Sequence, residues 1–209
     1  MNAPANLKPR ANCPALLLAV IFAVLLLGNG LAAESANKPA PAKWETLKNV
    51  RFEAEDYNDG DSFHVRYQGR EFIFRLYFVD APETDDSFPD RNREQARHFG
   101  VTAKENRRAA EAAKALTAEL LKRPFTVTTR WQNAMGRSRL PRYYAVVRVG
   151  GEDLGEVLLK RGLARAKGAW ANLPDGERAK ARLERLKQLE AETKAKRVGV
   201  WAHSKKTGE

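Results

Sequence analysis

A single arginine interrupts an otherwise apolar run, Phe72-Ile73-Phe74-Arg75-Leu76-Tyr77-Phe78-Val79, which then breaks into Asp80-Ala81-Pro82-Glu83-Thr84. A guanidinium stays charged at any ordinary pH, so a strand can bury it only against anions or carbonyls. Two carboxylates, Asp80 and Glu83, stand just beyond the end of the run. A fixed fork of donors beside paired carboxylates can hold a phosphate and a divalent cation together. A structural Arg–Asp pair is the competing reading of this stretch taken alone.

A second element precedes it. Asn58-Asp59-Gly60-Asp61-Ser62 reads as a turn, and Phe63-His64-Val65-Arg66-Tyr67 reads as a strand by alternation and by β-branched and aromatic content. Asp-Gly is turn chemistry, which accounts for Asp59. Asp61 lies past the turn, where nothing local requires it. Gln68-Gly69 then turns the chain into the Arg75 strand, so residues 61–67 and 71–79 are predicted to form an antiparallel hairpin. Its outer ends meet, which sets Asp61 beside Asp80. Two carboxylates that close need a cation, and hard oxygen donors suit Ca²⁺ or Mg²⁺.

The coarse order of elements is strand, strand, strand, helix, strand, strand, helix, helix. The first strand is expected near residues 47–55 and the hairpin follows. Residues 85–99 read as a polar loop leading into a helix. The helix is predicted over about 101–121, with Ala109, Ala112, Ala113, Leu116 and Leu120 recurring on one face, and Pro124 ends it. Strands are predicted over 125–129 and 143–149, a short helix over 153–162 ended by Gly162, and a long charged helix over 175–197. Five short strands with about three inserted helices predict an α+β chain built on a five-stranded Greek-key OB-fold barrel.

These motifs resemble those of the staphylococcal nuclease family. The resemblance rests on Asp59-Gly60-Asp61-Ser62, on Arg75-Leu76 and on Val79-Asp80-Ala81-Pro82-Glu83-Thr84. It continues through Phe99-Gly100, Arg142 with Ala145, Arg161-Gly162-Leu163-Ala164 and Trp201. It covers about residues 47–202, and the order and spacing of the motifs carry it rather than any one of them. It implies the OB-type fold and hydrolysis of phosphodiester bonds in DNA and RNA with little sequence preference, leaving 3′-phosphates. It also implies that Asp61, Asp80 and the carbonyl of Ala81 bind one Ca²⁺, and that Glu83 orients or deprotonates the attacking water. Arg75 and Arg142 would grip the phosphate from two sides. Pro82 holds Ala81 extended, which helps aim that carbonyl.

The second arginine has two candidates. Local spelling around Met135-Gly136-Arg137 favours Arg137, whereas counting back from Gly162 without a gap selects Arg142, with Ala145 in register. Arg142 is taken as the catalytic residue and Arg137 stands as the alternative. A substrate-stacking tyrosine beside that arginine falls on Leu140, so Trp131, Tyr143 and Tyr144 read as barrel aromatics. Arg91, Arg93 and Arg139 are candidates to track the phosphate backbone, each a single screened charge. His64, His98 and His203 have no metal-ligand spacing.

Composition agrees with a polyanionic partner. The chain has 37 Lys+Arg against 26 Asp+Glu, a net charge of +11, which bears on partners and not on fold. A basic start at Lys8 and Arg10, an apolar core over 15–27 and small residues at 28–33 predict a secretory signal peptide cleaved after Ala33. Export to the periplasm or medium follows, with no stable membrane association after cleavage; an uncleaved anchor is the lesser alternative. Residues 34–46 read as a linker, 47–202 as the nuclease-like domain and 203–209 as a tail. The only cysteine, Cys13, precedes the apolar core, so the mature chain has no disulfide. A monomer is expected. A catalytically silent module that binds nucleic acid or protein is the alternative function.

Overall fold

The computed structural model describes residues 43–136 and 138–205. The predicted signal segment, most of the linker and Arg137 lie outside the described residues. Among those described, seven strands form one mixed sheet, accompanied by four α-helices and a short 3₁₀ turn at Gly199–His203. The strands are β1 (Glu45–Leu47), β2 (Arg51–Glu53), β3 (Ser62–Tyr67), β4 (Arg70–Leu76), β5 (Phe125–Asn133), β6 (Arg142–Val149) and β7 (Glu152–Asp153). The helices are α1 (Pro89–Phe99), α2 (Ala103–Leu121), α3 (Leu154–Lys160) and α4 (Ala179–Ala195).

The sheet runs β1-β5-β6-β4-β3-β2, with β7 added to β6. Laid flat, its two end strands would stand about 24 Å apart, five spacings of about 4.8 Å. Yet only three residues separate β1 from β2, and Leu47 to Arg51 can span at most about 14 Å. The sheet therefore curls until its ends approach, which gives the OB-type barrel. The first predicted strand is thus two strands on opposite ends of the sheet. Asn49 sits between them at φ 58°, where the chain changes direction. The sheet also starts at Glu45, inside the predicted linker, because β1 pairs with β5 through Glu45↔Thr129.

The hairpin forms as predicted, with Tyr67↔Arg70 closing a two-residue loop. Gln68 and Gly69 both have positive φ, the handedness that matches strand twist. β4 ends at Leu76, three residues before its predicted end. Phe78 is the reason: its φ is 69°, an αL conformation that ends the extended chain, and its N–H donates to Ala169 O at 2.8 Å. Extended geometry resumes at Asp80, which forms an isolated antiparallel bridge with Arg165.

The core lies inside the curled sheet and beneath α3 and α4. Phe63, Val65, Phe74, Leu76, Val127, Ala145 and Val147 fill the barrel, and Leu154, Leu158 and Leu186 close it. α2 opens on a capping box: Glu105 N–H donates to Thr102 Oγ1, and Thr102 N–H donates to Glu105 Oε2. Ala113 lets it approach the 59–61 turn. A Cβ on Gly60 would stand 2.5 Å from Ala113 Cβ. Thr117 locks the contact by donating to Gly60 O at 2.7 Å. Residues 89–99, the end of the predicted polar loop, are helix α1, started by Pro89 at its first turn and ended by Gly100 in αL. Beyond the predicted domain end, Lys205 N–H still donates to Gly100 O. No helix among the described residues is long and apolar enough to cross a membrane.

Candidate active site

The hairpin register decides where the site forms. Ser62 pairs with Arg75, so Asp61 lies level with the end of β4, and its carbonyl accepts from Leu76 N–H at 2.8 Å. The αL turn at Phe78 then folds Asp80 back toward the same point. Arg75 Nη2 donates to Asp61 Oδ2 at 3.0 Å and to Asp80 Oδ1 at 2.9 Å. The two carboxylates share one guanidinium nitrogen, and both are buried. The lone arginine of the apolar run thus finds its anions at the strand's end.

α1 supplies the opposite wall. Arg91, Glu94 and Gln95 fall on one helical face by their i, i+3, i+4 spacing. Arg91 Nη2 contacts Asp80 Oδ1 and stands 2.9 Å from Glu83 Oε1. Gln95 is fully buried and donates to Asp80 Oδ2 and to Ala81 O. Its Oε1 accepts from Glu83 N–H at 3.1 Å. Glu94 holds Arg165 through two hydrogen bonds, and Arg165 Nε donates to Asp80 Oδ2 at 2.9 Å. Behind the site, Thr84 donates to Asp59 at 2.5 Å, which ties the turn to the 80–84 segment.

The carboxyls of the cluster differ in proton affinity because their partners differ. Burial pushes Asp61 up to about 6, against the pull of Arg75. Burial likewise pushes Glu83 up to about 7, only partly offset by Arg91. Asp80 is buried too, yet Arg91, Arg165, Gln95 and Arg75 outweigh burial and hold it below the ordinary carboxylate range. Glu94 falls to about 2, chiefly through its hydrogen bonds from Arg165.

Arg142 opens β6 beside Ile73 in parallel register. Its guanidinium does not touch the carboxylates; Nε and Nη2 both donate to Met135 O, at 3.0 and 2.5 Å. It lies close enough to feel them. Burial and the charge of Arg75 lower its pKa, while Asp61 and Glu83 oppose that. Gly136 makes its path possible, since a Cβ there would meet Arg142 Nη2 at 1.7 Å. Arg93 pairs with Asp90 of its own helix on an exposed face, and Arg139 is exposed in the β5–β6 loop. Neither reaches the carboxylates. Tyr143, Tyr144 and Trp131 pack against the barrel core, as expected for barrel aromatics.

Asp61, Asp80 and the Ala81 carbonyl are hard-oxygen donors of the kind Ca²⁺ or Mg²⁺ takes, and Arg75 bridges the two carboxylates. Arg75 and the Ala81 N–H both donate to Oδ2 of Asp61. Against this, both oxygens of Asp80 are engaged, and no three His, Cys, Asp or Glu among the described residues are spaced to hold a metal. The donors fit a hard cation; the arginines are what such a cation would have to displace.

Comparison with known protein families matches residues 73–203, more than half of the chain, to the staphylococcal nuclease homologues. The chain belongs to the staphylococcal nuclease homologue family. The match begins at Ile73, so it includes Arg75, Asp80, Glu83 and Arg142 and leaves Asp61 outside it. No curated protein matches the chain in a sequence comparison. The site also contains residues that sequence reasoning missed, namely Arg165, Glu94 and Gln95. Arg165 follows directly on the quoted Arg161-Gly162-Leu163-Ala164 motif, wedged between two buried alanines. With Arg161 and Lys167 close by in the sequence, nothing local singles Arg165 out; only the fold makes it the buried one of the three.

Proposed function

We propose that this nuclease-family protein is an exported, monomeric, Ca²⁺-dependent endonuclease that hydrolyses DNA and RNA with little sequence preference and leaves 3′-phosphates. The observation that supports this most is the Arg75 guanidinium bridging Asp61 and Asp80, with Glu83 joined to the same cluster through Arg91.

Asp61, Asp80 and the Ala81 carbonyl would hold Ca²⁺, whose chemistry there is Lewis-acid polarisation of a phosphate oxygen. Glu83, with its pKa near 7, accepts the proton of the attacking water. The water oxygen bonds to phosphorus, the bond from phosphorus to the 5′-oxygen breaks, and that oxygen takes a proton from solvent. Arg75 and Arg142 donate to the phosphoryl oxygens as negative charge builds on them. Arg91 and the net basic surface attract the backbone without reading sequence.

A catalytically silent binding module is the second reading, favoured by the saturation of Asp80 with arginine and glutamine donors. The test is hydrolysis of plasmid DNA and single-stranded RNA by the full chain with Ca²⁺, then with EGTA. Calcium-dependent cleavage that Glu83→Ala abolishes supports the enzyme. Retained DNA binding with no cleavage under any metal supports the silent module.

A further inference from the structure

Residues 80–83 carry most of the site, yet among the described residues no strand flanks them beyond Asp80. Asp80 pairs with Arg165 by two main-chain hydrogen bonds, at 3.0 and 3.1 Å, and the bridge stops there. The next residues need partners of their own, because a buried backbone group without one is costly. Pro82 has no N–H, which leaves the Ala81 carbonyl and the Glu83 N–H to be satisfied. In an extended chain these two groups point to the same side, two residues apart.

One carboxamide meets both. Gln95 Nε2 donates to Ala81 O at 2.9 Å, and Gln95 Oε1 accepts from Glu83 N–H at 3.1 Å. This is the pair of bonds that a neighbouring strand would have made. The second Nε2 hydrogen goes to Asp80 Oδ2 at 3.1 Å. A carboxamide can serve a carbonyl, a carboxylate and an N–H at once, whereas a carboxylate at this position would lack both donors. The side chain is fully buried, and it reaches the segment because α1 sets residue 95 one turn beyond Arg91.

We propose that Gln95 is the positioning residue of this site, standing in for a missing strand so that Asp80, the Ala81 carbonyl and Glu83 hold one fixed relation. The proposal rests on the nuclease reading above. Gln95 touches neither water nor phosphate in that mechanism; it acts through three groups that do. Outer partners that orient such groups typically contribute about 10- to 100-fold in activity. The effect falls on the chemical step rather than on substrate capture, because Arg75, Arg91 and the basic surface are left in place.

The experiment compares Gln95→Met, which keeps length without polar atoms, with Gln95→Asn, which keeps the carboxamide but is one methylene too short. Steady-state kcat and KM on plasmid DNA with Ca²⁺ are read beside near-ultraviolet circular dichroism of the full chain. The expected result is a native spectrum, KM within about threefold of wild type, and kcat reduced about 10- to 100-fold in both. If Gln95→Met does not fold, Gln95→Asn decides by the same criterion. Unchanged kcat in a folded variant overturns the proposal alone. Unfolding of both variants also overturns it, making Gln95 a determinant of the fold. A wild-type protein that cleaves nothing overturns the nuclease reading and this inference with it.

Discussion

Asp80 and Arg165 are joined twice, by a main-chain bridge and by an ion pair between their buried side chains. The backbone bridge sets the distance and the guanidinium sets the charge. Removing Arg165 still leaves Asp80 with Arg75, Arg91 and Gln95, so its charge is not stranded. Arg165→Met is therefore expected to destabilise the protein in chemical denaturation by less than the about 3–5 kcal/mol of a buried pair broken with no other partner. Arg165→Lys keeps the charge and loses the fork, so it should recover part of that loss and not all. A midpoint for Arg165→Met equal to wild type would refute the pairing.

Glu83→Gln separates chemistry from stability. Burial already disfavours the charged form of this carboxyl, so removing its charge should not lower the denaturation midpoint of the metal-free protein at pH 8. Removing the proton acceptor should lower kcat by about 10²- to 10⁴-fold. A folded Glu83→Gln with wild-type kcat would eliminate Glu83 as the base.

Arg142 and Arg137 make different predictions. Arg142 reaches toward the site past Gly136 and feels the charges of Arg75, Asp61 and Glu83. Arg142→Ala should lower kcat about 10²- to 10³-fold with the fold intact, and Arg137→Ala should leave kcat near wild type. The reverse pattern would move the second phosphate grip to Arg137.

Glu94 provides a pH signature away from the proposed metal donors. Its folded pKa, about 2, lies below its ordinary value, so its contribution to stability is present above about pH 4.5 and lost as pH falls toward 2. Its side chain is partly exposed, and solvent screening limits the effect to about 1 kcal/mol. The stability gap between wild type and Glu94→Gln should be open at pH 6 and close by about pH 2. A gap that stays constant with pH would contradict the pairing with Arg165.

Gly60→Ala tests the packing under the site turn. The added Cβ meets Ala113 Cβ at 2.5 Å and Ala81 Cβ at 3.0 Å, and neither can swing away. Overpacking of this kind costs about 1–3 kcal/mol. Because Ala81 belongs to the site, kcat should fall as well. Calorimetry and kinetics on one sample check both, and a neutral substitution would show that α2 can retreat.

The parts of the protein that could be read from the chain are the local ones. A guanidinium inside an apolar strand must be answered by carboxylates at the strand's end, and Asp61 and Asp80 answer it through the register of a two-residue hairpin. Period-2 and period-3.6 patterns placed the hairpin, the Ala-rich helix and the later strands. What pairwise spacing could not show is which distant segments share the carboxylates. Arg165 lies 85 residues from Asp80, and α1 was read largely as loop because its polar face reads as solvated. That face carries Arg91, Glu94 and Gln95, and it points inward only because the curled sheet leaves residues 80–83 without a strand to pair with. The carboxylates, their arginine and the barrel class follow from short-range chemistry that the sequence states. The full set of their partners was decided by tertiary structure, since burial turns unpaired backbone and charge into demands that only remote residues could meet.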